Sequence, residues 1–207
     1  VLSPDLPIAH GYCRPYNYIE LPDEEGLFEL RDVPHGTLTQ EFYKSKISDN
    51  WEKLIVYLPP CVPSAGLPVL YLQHGFGESE ISWSTTGKVN FLMDNLIAAG
   101  KIKPFAIVMG NGMVKQRIDG ELKLNRALYG QMLVEEILPM IEKKYQFGGS
   151  KEKRGMAGLS MGSVQTTRTI CAHPELFSEV GIFSGFLRDR IVGDEEHDGI
   201  VPKSGGQ

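Results

Sequence analysis

The chain has 207 residues, of which 42% are hydrophobic and 23% charged, and its formal net charge at pH 7 is -5. This length suits one domain with one hydrophobic core. No apolar run approaches the ~20 residues of a membrane span, and the lack of a basic block argues against nucleic acid or an anionic membrane as the main partner. An uncharged or weakly charged ligand fits better.

The first 34 residues contain many prolines and little hydrophobic periodicity. They predict an irregular lead-in, residues 1–34, before a main domain at 35–207. The sequence begins at Val1 without an apolar leader segment, so we expect that any signal peptide was removed or was never present.

The main domain alternates between strand-like and helix-like segments. Residues 37–45 and 51–58 predict a hairpin at a sheet edge, and the apolar runs 68–73 and 105–109 predict strands covered on both faces. Apolar residues at helical spacing predict helices over 89–97 and 134–145. The second helix should bend because Pro139 lacks a backbone N–H, and the polar segment 116–124 is predicted to be a surface loop.

A nucleophile-elbow pattern, G-x-S-x-G, spans residues 158–162 and centres on Ser160. A strand is predicted before it, at 154–159, and a helix after it. Val164, Thr167 and Cys171 recur at helical spacing, which predicts that Cys171 lies on the buried side. Glycines flank the serine because strand and helix must approach closely there, which leaves the serine oxygen exposed at the positive end of a helix.

One more strand is predicted at 180–183. Strands alternating with helices indicate an α/β fold with a doubly wound, mostly parallel sheet. Functional residues of such folds lie at the carboxyl ends of the strands, where residues 74–77 and Ser160 are both placed.

Several motifs in this order resemble the esterase-D-like α/β-hydrolases, in particular the feruloyl and acetylxylan esterases of carbohydrate esterase family one. The matching segments lie between about residues 30 and 186, and they are Val33-Pro-His-Gly36, Leu70-Tyr-Leu-Gln-His-Gly-Phe-Gly77 with Trp83, Asp94-Asn-Leu-Ile-Ala-Ala-Gly-Lys-Ile-Lys-Pro104, Ala157-Gly-Leu-Ser-Met-Gly162 and His173-Pro-Glu-Leu-Phe177.

The resemblance implies roles for five residues. Ser160 would be the acylated nucleophile, and the backbone N–H groups of Phe76 and Met161 would form the oxyanion hole. His74 would shape the oxyanion loop without acting as the general base. Trp83 would lie near the substrate pocket, although a tryptophan of the core is an equally good interpretation.

The acid and base of a catalytic triad are expected after the serine, on loops beyond the last two strands. Here the predicted sheet ends at 180–183, so we expect the last strands to be lacking and to be completed by a further C-terminal segment or a second chain. His173 is excluded because it lies at the far end of the elbow helix, and neither His10 nor His35 has a reason to approach. His197 is the remaining candidate base; the alternatives are a solvated acidic loop or a weak divalent-cation site.

The elbow motif and the resemblance together predict a serine carboxylic-ester hydrolase, and the resemblance implies that it removes feruloyl or acetyl groups from a plant polysaccharide such as xylan. The alternatives are an acyltransferase or thioesterase on the same scaffold, and a non-catalytic carbohydrate-binding relative. No organic cofactor or metal is expected, because the cysteines and histidines lack ligand spacing. A secreted or cell-surface location is favoured over a cytoplasmic one.

Overall fold

The strands of the computed structural model, which describes residues 2–185, form a central sheet and two separate hairpins. In spatial order the central sheet contains β10 (Glu179–Phe183), β9 (Arg154–Leu159), β5 (Val69–Gln73), β6 (Ala106–Gly110), β4 (Trp51–Leu58) and β3 (Thr37–Lys44). One hairpin consists of β1 (Ile8–Gly11) and β2 (Arg14–Asn17), and the other of β7 (Lys115–Ile118) and β8 (Glu121–Leu124).

The central sheet is mostly parallel, as the alternation of segments predicted. Strands β10, β9, β5 and β6 run parallel to one another, β4 is antiparallel to β6, and β3 pairs antiparallel with β4. The predicted edge hairpin and the predicted buried strands are therefore confirmed. Every residue of β6 is buried, which explains its uninterrupted apolar sequence.

Within the described residues, five α-helices connect these strands. They are α1 (Ser82–Thr85), α2 (Val89–Ala98), α3 (Tyr129–Met132), α4 (Leu138–Tyr145) and α5 (Met161–Ala172), with short 3₁₀ turns at Arg126–Leu128 and Lys151–Lys153. A π-helical turn, Leu133–Ile137, joins α3 to α4 directly before Pro139. The predicted second helix is thus present, and it accommodates the missing N–H of the proline with a wider turn. None of the helices within residues 2–185 is long and apolar enough to cross a membrane.

Two apolar clusters cover the two faces of the sheet. Alternate residues of β4 belong to different clusters, since Leu54 and Val56 pack with α3 and α4 whereas Ile55 and Tyr57 pack with α2. The sheet is therefore a middle layer between helices, which is the doubly wound arrangement.

Asp94, a fully buried carboxylate on α2, holds the residues directly before β3 in place. Its side chain accepts hydrogen bonds from the Gly36 N–H at 3.0 Å and the Tyr57 hydroxyl at 2.6 Å, and it lies 2.9 Å from Nδ1 of His35. Burial and the neighbouring carboxylate raise the pKa of Tyr57 far above its usual range, so its hydroxyl remains a donor.

Three sequence-based expectations were wrong. Residues 8–17 of the lead-in form a hairpin, whose turn residues Tyr12 and Cys13 have φ of 51° and 60°. Neither of the two central turn positions is a glycine, although Gly11 precedes them, so residue type gave no clear hairpin signal. Segment 116–124 lies in a two-stranded hairpin whose side chains are mostly exposed, including those of Leu122 and Leu124.

The third difference concerns α5, in which Cys171 is exposed. The buried side of this helix is polar instead: Gln165, Thr166 and Thr169 are all nearly inaccessible to solvent. The Thr169 hydroxyl donates to the Gln165 carbonyl at 2.8 Å, so its burial does not leave the hydroxyl unsatisfied. Apolar spacing therefore indicated the wrong face of the helix.

Candidate active site

Ser160 occupies a strained turn between β9 and α5. Its φ of 52° and ψ of -111° are unfavourable for any residue except glycine, and such strain is concentrated at functional sites. The Ser160 N–H donates to the Phe183 carbonyl at 2.9 Å. Its own carbonyl accepts from the N–H and the hydroxyl of Ser163, at 3.0 and 2.6 Å. This is the geometry of a nucleophile elbow, which holds the serine away from regular structure.

The two glycines of the motif are required for space. A Cβ on Gly158 would lie 2.3 Å from the carbonyl carbon and oxygen of Gly162. A Cβ on Gly162 would lie 2.6 and 2.7 Å from the carbonyl oxygens of Gln73 and His74. Any side chain at either position would therefore push α5 away from the ends of β9 and β5.

Two unpaired backbone donors share a cavity with the serine. Phe76 and Met161 line the same cavity as Ser160, which has a volume of about 420 Å³. Neither the Phe76 N–H nor the Met161 N–H makes a hydrogen bond to another residue of the described chain. Two free N–H groups beside a nucleophile are what an oxyanion hole needs, because they can stabilise charge that develops on a carbonyl oxygen.

The walls of this cavity combine aromatic rings with arginines. Tyr12 and Phe76 approach edge to face with their ring centroids 6.4 Å apart, and the guanidinium of Arg126 lies 4.9 Å from the centre of the Phe76 ring. The remaining wall comes from the end of β8 and from α5, namely Leu124, Asn125, Ala127, Val164, Gln165 and Arg168. Such a lining suits a partly apolar acyl group, and its aromatic rings suit a planar one.

Sequence reasoning missed Tyr12 and Arg126. Tyr12 lies in the segment expected to be irregular, and Arg126 follows the segment expected to be a simple loop. Neither residue belongs to a motif, and both reach the cavity through the two small hairpins, whose hydrogen bonds go to loops: Tyr12 donates to Phe76 and Arg117 donates to Ser48.

His74 is fully buried beneath the loop that carries Phe76. Its Nδ1–H donates to the Gly75 carbonyl at 2.8 Å, and its Nε2 accepts from the Gly112 N–H at 3.0 Å. These partners require the neutral ring with the proton on Nδ1. Burial also lowers the pKa of His74, which favours the same neutral form. Because both nitrogens are engaged, His74 shapes the loop and is not available as a base.

Trp83 lies in α1 on the other side of the elbow. Its ring centroid is 6.2 Å from that of Phe183, and its buried indole N–H has no hydrogen-bond partner within residues 2–185. It lines a second cavity of about 160 Å³ together with His10, Tyr16, Glu78, Ser82, Thr86, Gly87 and Leu159. Trp83 is therefore close to the elbow, and its contact with substrate stays a prediction.

No histidine among residues 2–185 hydrogen-bonds to Ser160. His173 follows the last residue of α5, roughly 20 Å from the serine at ~1.5 Å per residue. His35 is bonded to α2, away from the cavity. His10 approaches the elbow after all, since it lines the second cavity. His197 lies outside the described residues.

The part of the chain that the structure describes has no group of three or more His, Cys, Asp or Glu side chains that could hold a metal ion. The alternative cation site around His197 lies outside that part.

Comparison with known proteins agrees with this geometry. A sequence model of the family described as putative esterases matches residues 45–197. An endo-1,4-beta-xylanase/feruloyl esterase from Xylanibacter ruminicola is 37% identical in an alignment of 191 positions that covers 86% of this chain and 26% of that protein.

Solved structures share the fold. A ferulic acid esterase is 29% identical, with a TM-score of 0.64, over 73% of this chain and 60% of its own. A CE1 ferulic acid esterase from Anaeromyces mucronatus, in complex with ferulic acid, has a TM-score of 0.70 at 22% identity, over 79% of this chain and 63% of its own. The chain thus spans 26% of the curated relative and no more than 63% of these two solved proteins.

Proposed function

Because this chain belongs to the putative esterase family, we propose that it is a serine carboxylic-ester hydrolase that releases feruloyl groups from a plant polysaccharide such as xylan. One observation carries the proposal: Ser160, at a strained elbow, shares one cavity with two backbone N–H groups that have no hydrogen-bond partner within residues 2–185. The aromatic lining formed by Tyr12 and Phe76 favours feruloyl over acetyl as the acyl group. The names of the relatives, which include feruloyl and ferulic acid esterases, support the same choice.

In the proposed reaction, the Ser160 oxygen attacks the carbonyl carbon of the ester. The oxygen of the tetrahedral intermediate accepts hydrogen bonds from the N–H groups of Phe76 and Met161, and the loss of one such donor typically costs ~3 kcal/mol. Collapse of the intermediate releases the sugar hydroxyl, which takes the proton removed from the serine. Water then attacks the acyl-enzyme by the same route and releases the free acid.

The proton must pass through a general base, for which we propose His197. The other four of the five histidines lie within residues 2–185, and none of them hydrogen-bonds to Ser160. The competing proposal is that a further C-terminal segment or a second chain pairs with β10 and supplies the base. An acylated polysaccharide is too large to enter a cell, so a secreted or cell-surface location belongs to the same proposal.

The test combines fluorophosphonate labelling, followed by intact mass, with hydrolysis of methyl ferulate. We expect one adduct on the unaltered protein and on the control Ser178→Ala, which removes an exposed serine from the opposite end of the sheet. Ser160→Ala should form no adduct, and its kcat should be at least 10³-fold lower. His197→Ala should lose activity to a similar degree.

Three results would count against these assignments. An adduct that remains in Ser160→Ala would exclude this serine as the nucleophile. An unaltered protein that binds a feruloylated xylan oligosaccharide without hydrolysing it would favour the non-catalytic alternative. Full activity in His197→Ala would indicate that another chain or segment supplies the base, and it would not affect the role proposed for Ser160.

A further inference from the structure

The hairpin β1–β2 packs against the loop that carries the Phe76 donor, residues 74–78, which we call the oxyanion loop. The hairpin lies outside the segment matched by the family, which begins at residue 45. Its turn nevertheless bonds to the loop, since the Tyr12 N–H donates to the Phe76 carbonyl at 2.9 Å.

Main chain packs directly on main chain at this contact. A Cβ on Gly77 would lie 2.0 Å from the Cys13 nitrogen and 2.6 Å from the carbonyl carbon and Cα of Tyr12. The left-handed backbone of Tyr12 and Cys13, at φ of 51° and 60°, is unfavourable for residues with a side chain. Such a conformation persists only where the surrounding structure holds it, and here the close contact with the loop does so.

The other hydrogen bonds of the oxyanion loop are made by the residues before and after Phe76 in the sequence. The Gly75 carbonyl accepts from His74, the Gly75 N–H donates to Glu78 at 3.0 Å, and the Gly77 N–H points to the sulfur of Met113 at 3.4 Å. Within residues 2–185, the Tyr12 N–H is the donor that fixes the Phe76 carbonyl. Without it, the backbone torsions of Phe76 could change and the direction of its N–H would vary.

We propose that the main-chain N–H of Tyr12 is a positioning group for the oxyanion hole, and that the N-terminal hairpin is therefore part of the catalytic apparatus. This inference rests on the proposed ester hydrolysis. It concerns the backbone of Tyr12, which acts through Phe76, and it is separate from the contact that the Tyr12 ring makes with the cavity.

The sequence offers a way to remove this one N–H, because Cys13 follows Tyr12 directly. A synthetic peptide of residues 1–12 can be joined to residues 13–207 by ligation at Cys13, which restores the full chain. In the test protein, an ester replaces the amide between Gly11 and Tyr12, so that the N–H is lost and all side chains stay. Two controls are prepared in the same way: one with all natural amides, and one with an ester at Leu6, whose N–H makes no hydrogen bond within residues 2–185.

Two measurements are made on each ligated protein: steady-state hydrolysis of methyl ferulate, and amide hydrogen exchange of residues 74–78. We expect the ester at Tyr12 to lower kcat by about tenfold with little change in KM, since a net hydrogen bond is worth roughly that factor. Exchange in the oxyanion loop should also become faster. A purely structural role would lower the melting temperature of the test protein and leave its kcat well below that temperature unchanged.

Equal kcat and equal exchange in the test protein and both controls would overturn the proposal. Failure of the all-amide control to hydrolyse methyl ferulate would instead contradict the proposed function. Hydrogen exchange would then decide the inference by itself: faster exchange in the oxyanion loop supports positioning of Phe76 by Tyr12, and unchanged exchange refutes it.

Discussion

Replacement of Gly158 by alanine should damage both the stability and the activity of the protein. The new Cβ would lie 2.3 Å from the carbonyl carbon of Gly162, whereas non-bonded carbons approach to about 3.5 Å. Strand β9 and helix α5 must therefore separate by about 1 Å. Overpacking of this kind costs about 2 kcal/mol of unfolding free energy, or about 6 °C in Tm for a chain of this length.

The same displacement moves Ser160 and the Met161 N–H relative to Phe76. A misplacement of about 1 Å can lower the rate about 100-fold, which we expect for kcat on methyl ferulate. Gly155→Ala is the matched control, since it lies on the same strand and its Cβ would meet its nearest neighbours at an ordinary 3.4 Å. Thermal unfolding and steady-state hydrolysis are measured on both variants. If Gly158→Ala resembled Gly155→Ala in Tm and kcat, the argument from close approach would be refuted.

Two further predictions concern buried polar groups. Asp94→Ala leaves the Tyr57 hydroxyl and the Gly36 N–H without their acceptor, so the unfolding free energy measured by urea denaturation should fall by about 3 kcal/mol. A fall of less than about 1 kcal/mol would contradict this account. Because burial lowers the pKa of His74, the unfolded chain binds its proton more readily than the folded protein, and the unfolding free energy should fall as the pH drops below about 6.5. Between pH 7.5 and 5.5, urea denaturation should show a smaller fall in unfolding free energy for His74→Gln than for the unaltered protein. Equal falls in the two proteins would exclude His74 as the cause.

The central sheet could be predicted from the sequence because each strand is bounded by clear signals. The predicted run 105–109 is wholly apolar and its residues 106–109 are buried, and the spacing of Val89 and Met93 identified the inner face of α2. The two small hairpins could not be predicted in this way. Their strands are short and largely exposed, and the left-handed turn at Tyr12 is stabilised by tertiary contact and not by its residue types.

In the candidate site, too, some residues could be predicted from the sequence and others could not. Ser160 and its flanking glycines form a contiguous motif, because the elbow is a local structure in which each residue meets its near neighbours. The Phe76 donor could be named only through the resemblance to a family, and its carbonyl partner, Tyr12, is more than sixty positions away. No local pattern in the sequence specifies which residue is the base, so His197 remains a prediction.

The hydrogen bond from the Ser160 N–H to the Phe183 carbonyl has a consequence for the order of folding. The parallel strands β9 and β10 are joined by the crossover helix α5, because parallel strands cannot pair through a short turn. Strand β10 also lies at the edge of the sheet described within residues 2–185, where it pairs with β9 alone, so we expect the serine to receive its backbone acceptor late in sheet assembly. We expect pulse-labelled hydrogen exchange during refolding to protect the Ser160 amide later than the amides of β5 and β6, and simultaneous protection would contradict this order.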